Sequence, residues 1–257
     1  MAELIQGPVE VRVFESAAEL MKAAAREVLE SALQAVSGRG RFTWALSGGS
    51  TPRGLYRLLA SDPFRGRMPW QAIHFFWGDE RHVPPDHPES NFRMAKEALL
   101  DAVPAPAANV HRIHAEEPDA ERAAAEYEAE IRSFFDLAPG PPGDWPRFDL
   151  VLLGLGKDGH TASLFPGGAA VHERERLVVA AWIETQKTWR ITLTPPVLNH
   201  ARRSAFLVSG EDKAQALHAV VTEGDGERNP DRCPAQVVEG NRLWMVDRAA
   251  ARLLARR

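Results

Sequence analysis

The hydrophobic positions of this chain follow two periods that alternate along its length. Residues 9–14 (VEVRVF) alternate apolar and polar side chains, as a half-buried strand does, and residues 148–153 (FDLVLL) are almost continuously apolar, as in a strand buried on both faces. Patterns of these two kinds predict strands at residues 9–14, 42–46, 72–77, 148–153, 177–183, 190–194, 204–209 and 242–246.

Segments of helical period lie between most of these strands. Ser16 and Glu19 form a capping box before the first helix, and Pro52 stands where the first position of a second helix is expected. The pattern predicts helices at residues 16–36, 53–60, 90–100, 119–135, 211–221 and 247–257, and another that begins at Pro195. This alternation predicts an α/β fold: a Rossmann-like, mostly parallel sheet with helices on both faces, in a single domain of residues 1–257.

The composition of the 257 residues excludes several classes of protein. Hydrophobic residues make up 44% and charged residues 26%, which are ordinary values for a globular protein. The net charge of -4 and the absence of a long basic run argue against a nucleic-acid partner. The single cysteine, Cys233, excludes a disulfide framework, and no leader-like or membrane-length apolar run occurs. We therefore expect a cytoplasmic protein that binds neither nucleic acid nor membrane.

A loop of small residues follows the strand at residues 42–46. Ser47, Gly48, Gly49, Ser50 and Thr51 lead into a predicted helix, whose free N–H groups and dipole favour an anion such as phosphate. The alternative is a turn in which a serine or threonine only caps the helix. The sequence alone leaves both hypotheses open, although it excludes a Walker A loop because the Gly-Lys-Ser/Thr ending is missing.

A glycine-rich loop, GLGKDGH at residues 154–160, follows the strand at residues 148–153. It matches the G-x-G-x-x-G pattern of dinucleotide-binding proteins, but Pro166 leaves little room for the required helix, and Lys157 and Asp158 would crowd a pyrophosphate. The other hypothesis is catalytic. Histidine titrates near neutral pH, so His160 can accept a proton from water while Asp158 orients its ring. A simple turn is the more usual interpretation of an isolated Asp-Gly-His.

Charged residues also stand near the ends of other predicted elements. Asp79 and Arg81 follow the strand at residues 72–77, and a guanidinium group suits a carboxylate, a phosphate or a developing oxyanion. Arg190 opens a later strand and Lys213 begins a helix. Each of these residues, taken alone, is typical of a protein surface.

Two other kinds of chemistry are weakly indicated. His74, His82 and His87 lie near acidic residues, but their spacing matches no zinc motif, so we expect no metal site. Ser163 lacks the sharp turn that activates a covalent serine nucleophile.

Five motifs taken together resemble one known family. They are, in order, SGGSTP, FWGDERHVPPDHPESNF, FDLVLLGLGKDGHTASLFP, RITLTPPVLNHA and FLVSGEDKAQAL, and the likeness covers residues 9–246. They are similar to the 6-phosphogluconolactonases of the sugar-phosphate isomerase-like α/β fold. The resemblance implies hydrolysis of 6-phospho-D-glucono-1,5-lactone to 6-phospho-D-gluconate, in the oxidative pentose phosphate pathway, without a cofactor. We expect a monomer or a small homo-oligomer.

The resemblance also implies roles for the chemical residues. His160 is expected to act as the general base on the attacking water, with Asp158 holding its ring and Arg81 stabilising the oxyanion. Asp79 matches a catalytic acid of the related glucosamine-6-phosphate deaminases, and its role in a lactonase stays open.

The phosphate of the substrate is expected to bind in the loop of residues 47–51. Lys213 matches the basic residue that the wider superfamily uses for phosphate, and Arg190 and Lys157 are further candidate cations. These groups would hold an anion despite the negative net charge of the chain.

Two rival functions share this fold. The deaminases keep a glutamate five residues after the histidine, and this chain has Phe165 there, which cannot relay a proton. A sugar-phosphate-binding regulator would carry a DNA-binding segment, for which the residues before position 9 leave no room.

Overall fold

A computed structural model of the protein describes residues 3–5, 10–138, 144–222 and 228–254. Within these ranges the strands are β1 (Glu3–Ile5), β2 (Glu10–Phe14), β3 (Phe42–Leu46), β4 (Ile73–Trp77), β5 (Asp79–Arg81), β6 (Leu150–Leu153), β7 (Val178–Ile183), β8 (Thr188–Leu193), β9 (Ser204–Val208) and β10 (Arg242–Asp247). The α-helices are α1 (Ala17–Arg39), α2 (Ser50–Leu59), α3 (Asn91–Ala98), α4 (Ala120–Phe134), α5 (Pro195–His200) and α6 (Ala214–Thr222).

Seven strands form the main sheet, in the order β1-β2-β10-β9-β6-β3-β4. All neighbours pair in parallel except β1, which is antiparallel to β2. The chain leaves β3 toward β4 and leaves β6 toward β9, so two adjacent strands lead to opposite edges of the sheet. Right-handed crossovers then place the two groups of connections on opposite faces, and a crevice opens between the carboxyl ends of β3 and β6.

The remaining three strands form a separate antiparallel sheet in the order β5-β8-β7. It is joined to the main sheet at Gly78, whose N–H donates to Leu46 O at 2.8 Å and whose carbonyl accepts from Leu193 N–H at 2.9 Å. The small sheet therefore stands beside the carboxyl ends of β3 and β4.

Most of the predicted elements are confirmed. The strand at residues 42–46 matches β3, and all residues of β6 are buried, as predicted for a strand covered on both faces. All residues of β3 and β9 are buried as well. Helix α1 begins after Ser16, whose Oγ accepts from Glu19 N–H at 3.3 Å, and it ends at Gly40 in the left-handed conformation with φ 75°. In the described part of the chain, no helix combines the length and apolar character that crossing a membrane requires.

The strands predicted at residues 177–183 and 190–194 are confirmed as β7 and β8, and they belong to the small antiparallel sheet. Three predictions about elements are wrong. Residues 79–81 form β5, where no strand was predicted. Helix α2 begins at Ser50, so Pro52 is its third residue, not its first. The predicted helix at residues 247–257 is a single 3-10 turn, Ala250–Leu253, with residues 255–257 outside the described ranges.

Asp149 joins β3 to the start of β6 at the amino end of the sheet. Its Oδ2 accepts from Thr43 N–H at 2.9 Å and from Thr43 Oγ at 3.0 Å, and its Oδ1 pairs with Arg39 at 2.5 Å and with Arg202 at 3.3 Å. This carboxylate and Thr43 are buried, so Thr43 has no water to replace its acceptor, whereas the two arginines are partly exposed.

We predict that Asp149→Ala lowers the free energy of unfolding by about 2–4 kcal/mol, because it leaves the buried Thr43 N–H and two arginines without their acceptor. Urea denaturation measures the change. Asp101→Ala serves as the control, since Asp101 is exposed and pairs only with Lys96, and it should change stability by less than about 0.5 kcal/mol. Equal effects of the two substitutions would contradict the assigned role of Asp149.

Candidate active site

The candidate site lies in the crevice between β3 and β6. The loop of residues 47–51 follows β3, the loop of residues 154–160 follows β6, and these strands are hydrogen-bonded neighbours. Because carboxyl ends of parallel strands meet at one edge of a sheet, the two loops that the sequence singled out lie side by side. The small sheet borders the same crevice.

The 154–160 loop folds back on itself and does not open a helix. Gly156 N–H donates to His160 O at 2.8 Å, and Gly159 N–H donates to Gly156 O at 3.1 Å. Gly159 has φ 81°, and a side chain there would also come within 2.7 Å of Cys233 Sγ. The next helical residues are the 3-10 turn Ala169–His172. The geometry therefore disagrees with the dinucleotide-binding hypothesis.

His160 and Asp158 form a hydrogen-bonded pair at the crevice. His160 Nδ1 lies 2.6 Å from Asp158 Oδ1, which also accepts from His160 N–H at 3.2 Å. Burial favours the protonated acid, but the hydrogen bond and charge of His160 outweigh it and hold the pKa of Asp158 below its usual range. A carboxylate can only accept, so Nδ1 carries the hydrogen and Nε2 of the neutral ring has a lone pair free to take a proton.

Two neighbours restrict the orientation of the His160 ring. Phe165 stacks on it, with ring centroids 4.2 Å apart and planes inclined by 18°. On another side lies Gly156, where a methyl group would overlap His160 Nδ1 and approach Asp158 Oδ1 within 2.5 Å. The third position of GLG is therefore a glycine because the imidazole occupies the space of its side chain.

Asp79 connects the small sheet to the segment that follows His160. Ser163 Oγ donates to Asp79 Oδ2 at 2.6 Å, and Ser163 N–H donates to Thr192 Oγ at 3.2 Å. Asp79 and Thr192 are directly opposite one another in the β5–β8 pair, so both contacts come from one face of the small sheet. Ser163 is buried in this arrangement, which does not resemble an activated nucleophile.

Glu80 points to the other face of β5 and fixes the start of α3. Its Oε1 accepts from the N–H groups of Arg81 (2.8 Å) and Asn91 (2.7 Å), and its Oε2 accepts from Phe92 N–H (2.7 Å) and Ser90 Oγ (3.1 Å). Burial raises the pKa of Glu80, and the backbone donors offset only part of this effect. These four contacts fill the acceptor positions of the carboxylate, and two of them satisfy the first N–H groups of the helix, those of Asn91 and Phe92.

Arg81 and Arg190 lie side by side on one face of the small sheet. They are opposite partners in the β5–β8 register, on the face that carries Asp79 and Thr192. Arg190 is only 9% exposed, and burial together with the charge of Arg81 lowers its pKa. Neither Nε atom has a hydrogen-bond partner among the residues that the structure describes. Two like charges held this closely favour an anionic group between or beside them.

The 47–51 loop presents free donors at the start of α2. Ser47 is held by Tyr56, whose Oη accepts from Ser47 N–H at 2.9 Å and donates to Ser47 O at 2.8 Å. No side chain in the described ranges caps α2, and its N-cap, Gly49, has φ 103°. The capping hypothesis for this loop is therefore wrong, and the N–H and hydroxyl groups of Ser50 and Thr51 are open to an anion.

Two lysines lie close to one aspartate beside the loop that follows β6. Lys157 Nζ is 3.4 Å and Lys213 Nζ 3.7 Å from the same oxygen of Asp212. The loop before Lys213 is anchored by Gly210 N–H, which donates to the Asp247 carboxylate. Lys213 follows β9, and β6 is the one strand between β9 and β3 in the sheet. At ordinary strand spacing β9 and β3 are therefore about 10 Å apart.

The structure thus divides the predicted site residues into groups. His160 and Asp158 are in contact, Arg81 pairs with Arg190, and Lys157 pairs with Lys213 through Asp212. Among the residues that the structure describes, no hydrogen bond joins the 47–51 loop directly to Lys213 or Arg190.

Several supporting residues escaped the sequence analysis. They are Tyr56, Glu80, Asn91 and Thr192, and each acts through a contact with a segment distant in sequence. Asn91 stands in the second motif at the start of a predicted helix, but the sequence alone does not indicate which segments it contacts.

The three histidines whose spacing was compared with zinc motifs, His74, His82 and His87, do not form a cluster. His74 Nδ1 is 3.1 Å from His111 Nε2, whereas His82 Nε2 bonds to Glu117 O and His87 Nδ1 accepts from Glu89 N–H. Within the described ranges no group of three or more His, Cys, Asp or Glu side chains is arranged to hold a metal ion.

The comparisons with known proteins agree with one another. A family described as glucosamine-6-phosphate isomerases/6-phosphogluconolactonase matches residues 15–246. A 6-phosphogluconolactonase from Synechocystis sp. is 44% identical over 219 residues, covering 84% of this chain and 86% of that protein. One from Nostoc sp. is 43% identical over 217 residues, with coverage of 84% and 86%.

Solved structures show the same fold. The 6-phosphogluconolactonase from Trypanosoma cruzi has a TM-score of 0.84 and 32% identity, covering 99% of this chain and 100% of that chain. A monomeric glucosamine-6-phosphate deaminase has a TM-score of 0.77 and 22% identity, covering 95% and 99%, and this likeness concerns the fold alone.

We predict that Glu80→Gln lowers the free energy of unfolding by about 1–3 kcal/mol, because an amide NH₂ replaces one oxygen and faces buried donors that it cannot accept from. Urea denaturation tests this against Glu97→Gln, a control on the exposed side of α3 where the carboxylate pairs with Arg93. The control should change stability by less than about 0.5 kcal/mol. An equally stable Glu80→Gln protein would refute the capping role.

Proposed function

The chain belongs to the glucosamine-6-phosphate isomerase/6-phosphogluconolactonase family, and on this premise we propose that it is a 6-phosphogluconolactonase. It hydrolyses 6-phospho-D-glucono-1,5-lactone to 6-phospho-D-gluconate in the oxidative pentose phosphate pathway. The observation that carries the proposal is the hydrogen-bonded His160–Asp158 pair in the loop that follows β6, with Phe165 stacked on the imidazole ring.

His160 acts first as a base and then as an acid. Its Nε2 takes a proton from a water molecule while the water oxygen bonds to the lactone carbonyl carbon, which forms a tetrahedral oxyanion. When this intermediate collapses, the bond from carbon to the ring oxygen breaks, and the imidazolium returns its proton to the departing oxygen. Asp158 stabilises the imidazolium because it remains a carboxylate, as its lowered pKa requires.

Positive charge at the site matches both polar ends of the substrate. Arg81 stabilises the oxyanion, and Arg190 beside it adds a second cation that also helps to hold the phosphate. The phosphate binds the free donors of the 47–51 loop, with Lys213 and, more peripherally, Lys157 completing its charge balance. Asp79 holds the surrounding segments through Ser163.

Phe165 separates this proposal from the deaminase alternative. Five residues after the histidine, where the deaminases carry a glutamate, this chain presents a phenyl ring packed on the His160 imidazole. The phenyl group cannot exchange a proton, but it excludes water from one face of the base. Lactone hydrolysis needs no additional acid at this position, because His160 itself returns the proton.

We predict that His160→Ala lowers kcat for lactone hydrolysis by about 10²–10⁴-fold, the usual contribution of a positioned general base. Continuous titration of the acid released from freshly made 6-phosphogluconolactone measures the rate above spontaneous hydrolysis. His172→Ala is the matched control, because this exposed histidine also bonds to an aspartate, Asp231, at 2.7 Å. If His160→Ala retained the rate of the control, His160 would not be the base.

We predict that Lys213→Ala raises KM by about tenfold with little change in kcat, because a phosphate anchor stabilises the bound substrate and the transition state alike. The same assay across substrate concentrations separates the two constants. Lys187→Ala, which removes an exposed lysine paired with Glu184, should leave both unchanged. A fall in kcat alone would instead place Lys213 in the chemical step.

A further inference from the structure

Asn91 lies where the 47–51 loop, β5 and helix α3 meet. It is the first residue of α3 and is 3% exposed. Its side-chain Nδ2–H donates to Asp79 O at 2.9 Å and lies 3.4 Å from Asp79 Oδ1. Its backbone N–H is held by Glu80, so the position of the side chain is set from both ends of the residue.

The other end of the Asn91 amide rests against Gly48. A methyl group at Gly48 would overlap Asn91 Oδ1 and would also lie within 2.9 Å of Nδ2. Gly48 therefore lacks a side chain because the amide of Asn91 fills that space. The path of the loop at its second residue is determined by a residue of α3, 43 positions later in the chain.

The loop is thus supported at three consecutive points. Tyr56 holds Ser47 by two hydrogen bonds, the Asn91 amide bears on Gly48, and Gly49 O accepts from Arg53 N–H at 3.1 Å in the first turn of α2. Residues 50 and 51, which carry the free donors, follow directly. Asn91 is also hydrogen-bonded to Asp79, which Ser163 joins to the segment of His160.

We propose that Asn91 is a positioning residue that sets the 47–51 loop for phosphate and keeps it in register with the His160 segment through Asp79. The inference rests on the proposed function, since it takes the loop as the phosphate site. Asn91 does not touch the substrate in this account. A small displacement of the loop misdirects several donors at once, so its loss weakens phosphate binding.

A double-mutant cycle on the two contacting residues tests the inference. Gly48→Ala should weaken binding of inorganic phosphate by more than about tenfold, because the methyl group forces the loop away from Asn91, and Asn91→Ala should weaken it by about three- to tenfold. In the double variant the Asn91 amide is absent, so the methyl group at position 48 has room. The phosphate affinity of the double variant should therefore return to within about threefold of that of Asn91→Ala. Phosphorus NMR titration gives the dissociation constants, and melting curves confirm that each variant is folded.

Two further variants complete the design. Asn241→Ala removes a similar amide at the amino ends of β9 and β10, where Asn241 donates to Arg202 O at 2.7 Å. This variant should bind phosphate as the unmodified protein does. Asn91→Asp keeps the size of the side chain but replaces the donor with a carboxylate beside Asp79. It should weaken phosphate binding even if Asn91→Ala proves too unstable to measure.

The outcomes separate this inference from the proposed function. Unchanged phosphate affinity in both Asn91 variants, or a double variant at least as weak as the product of the two single losses, would overturn the positioning role alone. A loss of kcat with phosphate affinity and KM unchanged would also overturn it, because Asn91 would then act in the chemical step. Failure of the unmodified protein to bind phosphate or hydrolyse the lactone would instead overturn the proposed function.

Discussion

The hydrogen bond from Ser163 to Asp79 is the contact on which the site depends. It joins the segment that carries His160, at the end of the main sheet, to β5 of the small sheet, which carries Arg81. A buried carboxylate accepts such a bond strongly and in a narrow range of directions. Asn91 donates to the backbone carbonyl of Asp79 at 2.9 Å and lies 3.4 Å from its Oδ1, so Asp79 connects the His160 segment, the small sheet and the start of α3.

The charges of the site are separated into pairs with different neighbours. Arg81 and Arg190 lie on the small sheet with Asp79 nearby, and Lys157 and Lys213 share Asp212 above the main sheet. Burial, and after it the charge of Arg81, lowers the pKa of Arg190. The cations of the candidate site are thus grouped locally in a chain whose net charge is -4.

The sequence predicted most accurately those features that depend on local pattern. β3, α1 and the loop after β6 were predictable because burial on both faces, a capping box and clustered glycines act over a few residues. β5 was not, since three charged residues beside prolines have no strand pattern and become a strand only through pairing with β8. The helix predicted for residues 247–257 failed because Ala and Arg favour helix without specifying a packed face.

The residues of the candidate site also divide into those that a local pattern predicts and those that depend on contacts between separate segments. His160, Asp158 and the 47–51 loop were identified from motifs, but the contacts of Tyr56 and Asn91 with that loop join segments 9 and 43 residues apart. Pairings of that kind have no signature in a single sequence. The structure was also needed to pair Arg190 with Arg81 and to show that Phe165 packs on the imidazole of His160.

The central claim is that the crevice between β3 and β6 hydrolyses a phosphorylated sugar lactone. The most direct measurement places the unmodified protein in two parallel assays, one for acid formation from 6-phosphogluconolactone and one for ammonia release from glucosamine 6-phosphate. The account predicts acceleration of lactone hydrolysis well above the spontaneous rate and no release of ammonia. Ammonia release, or a lactone that disappears only at its spontaneous rate, would contradict it.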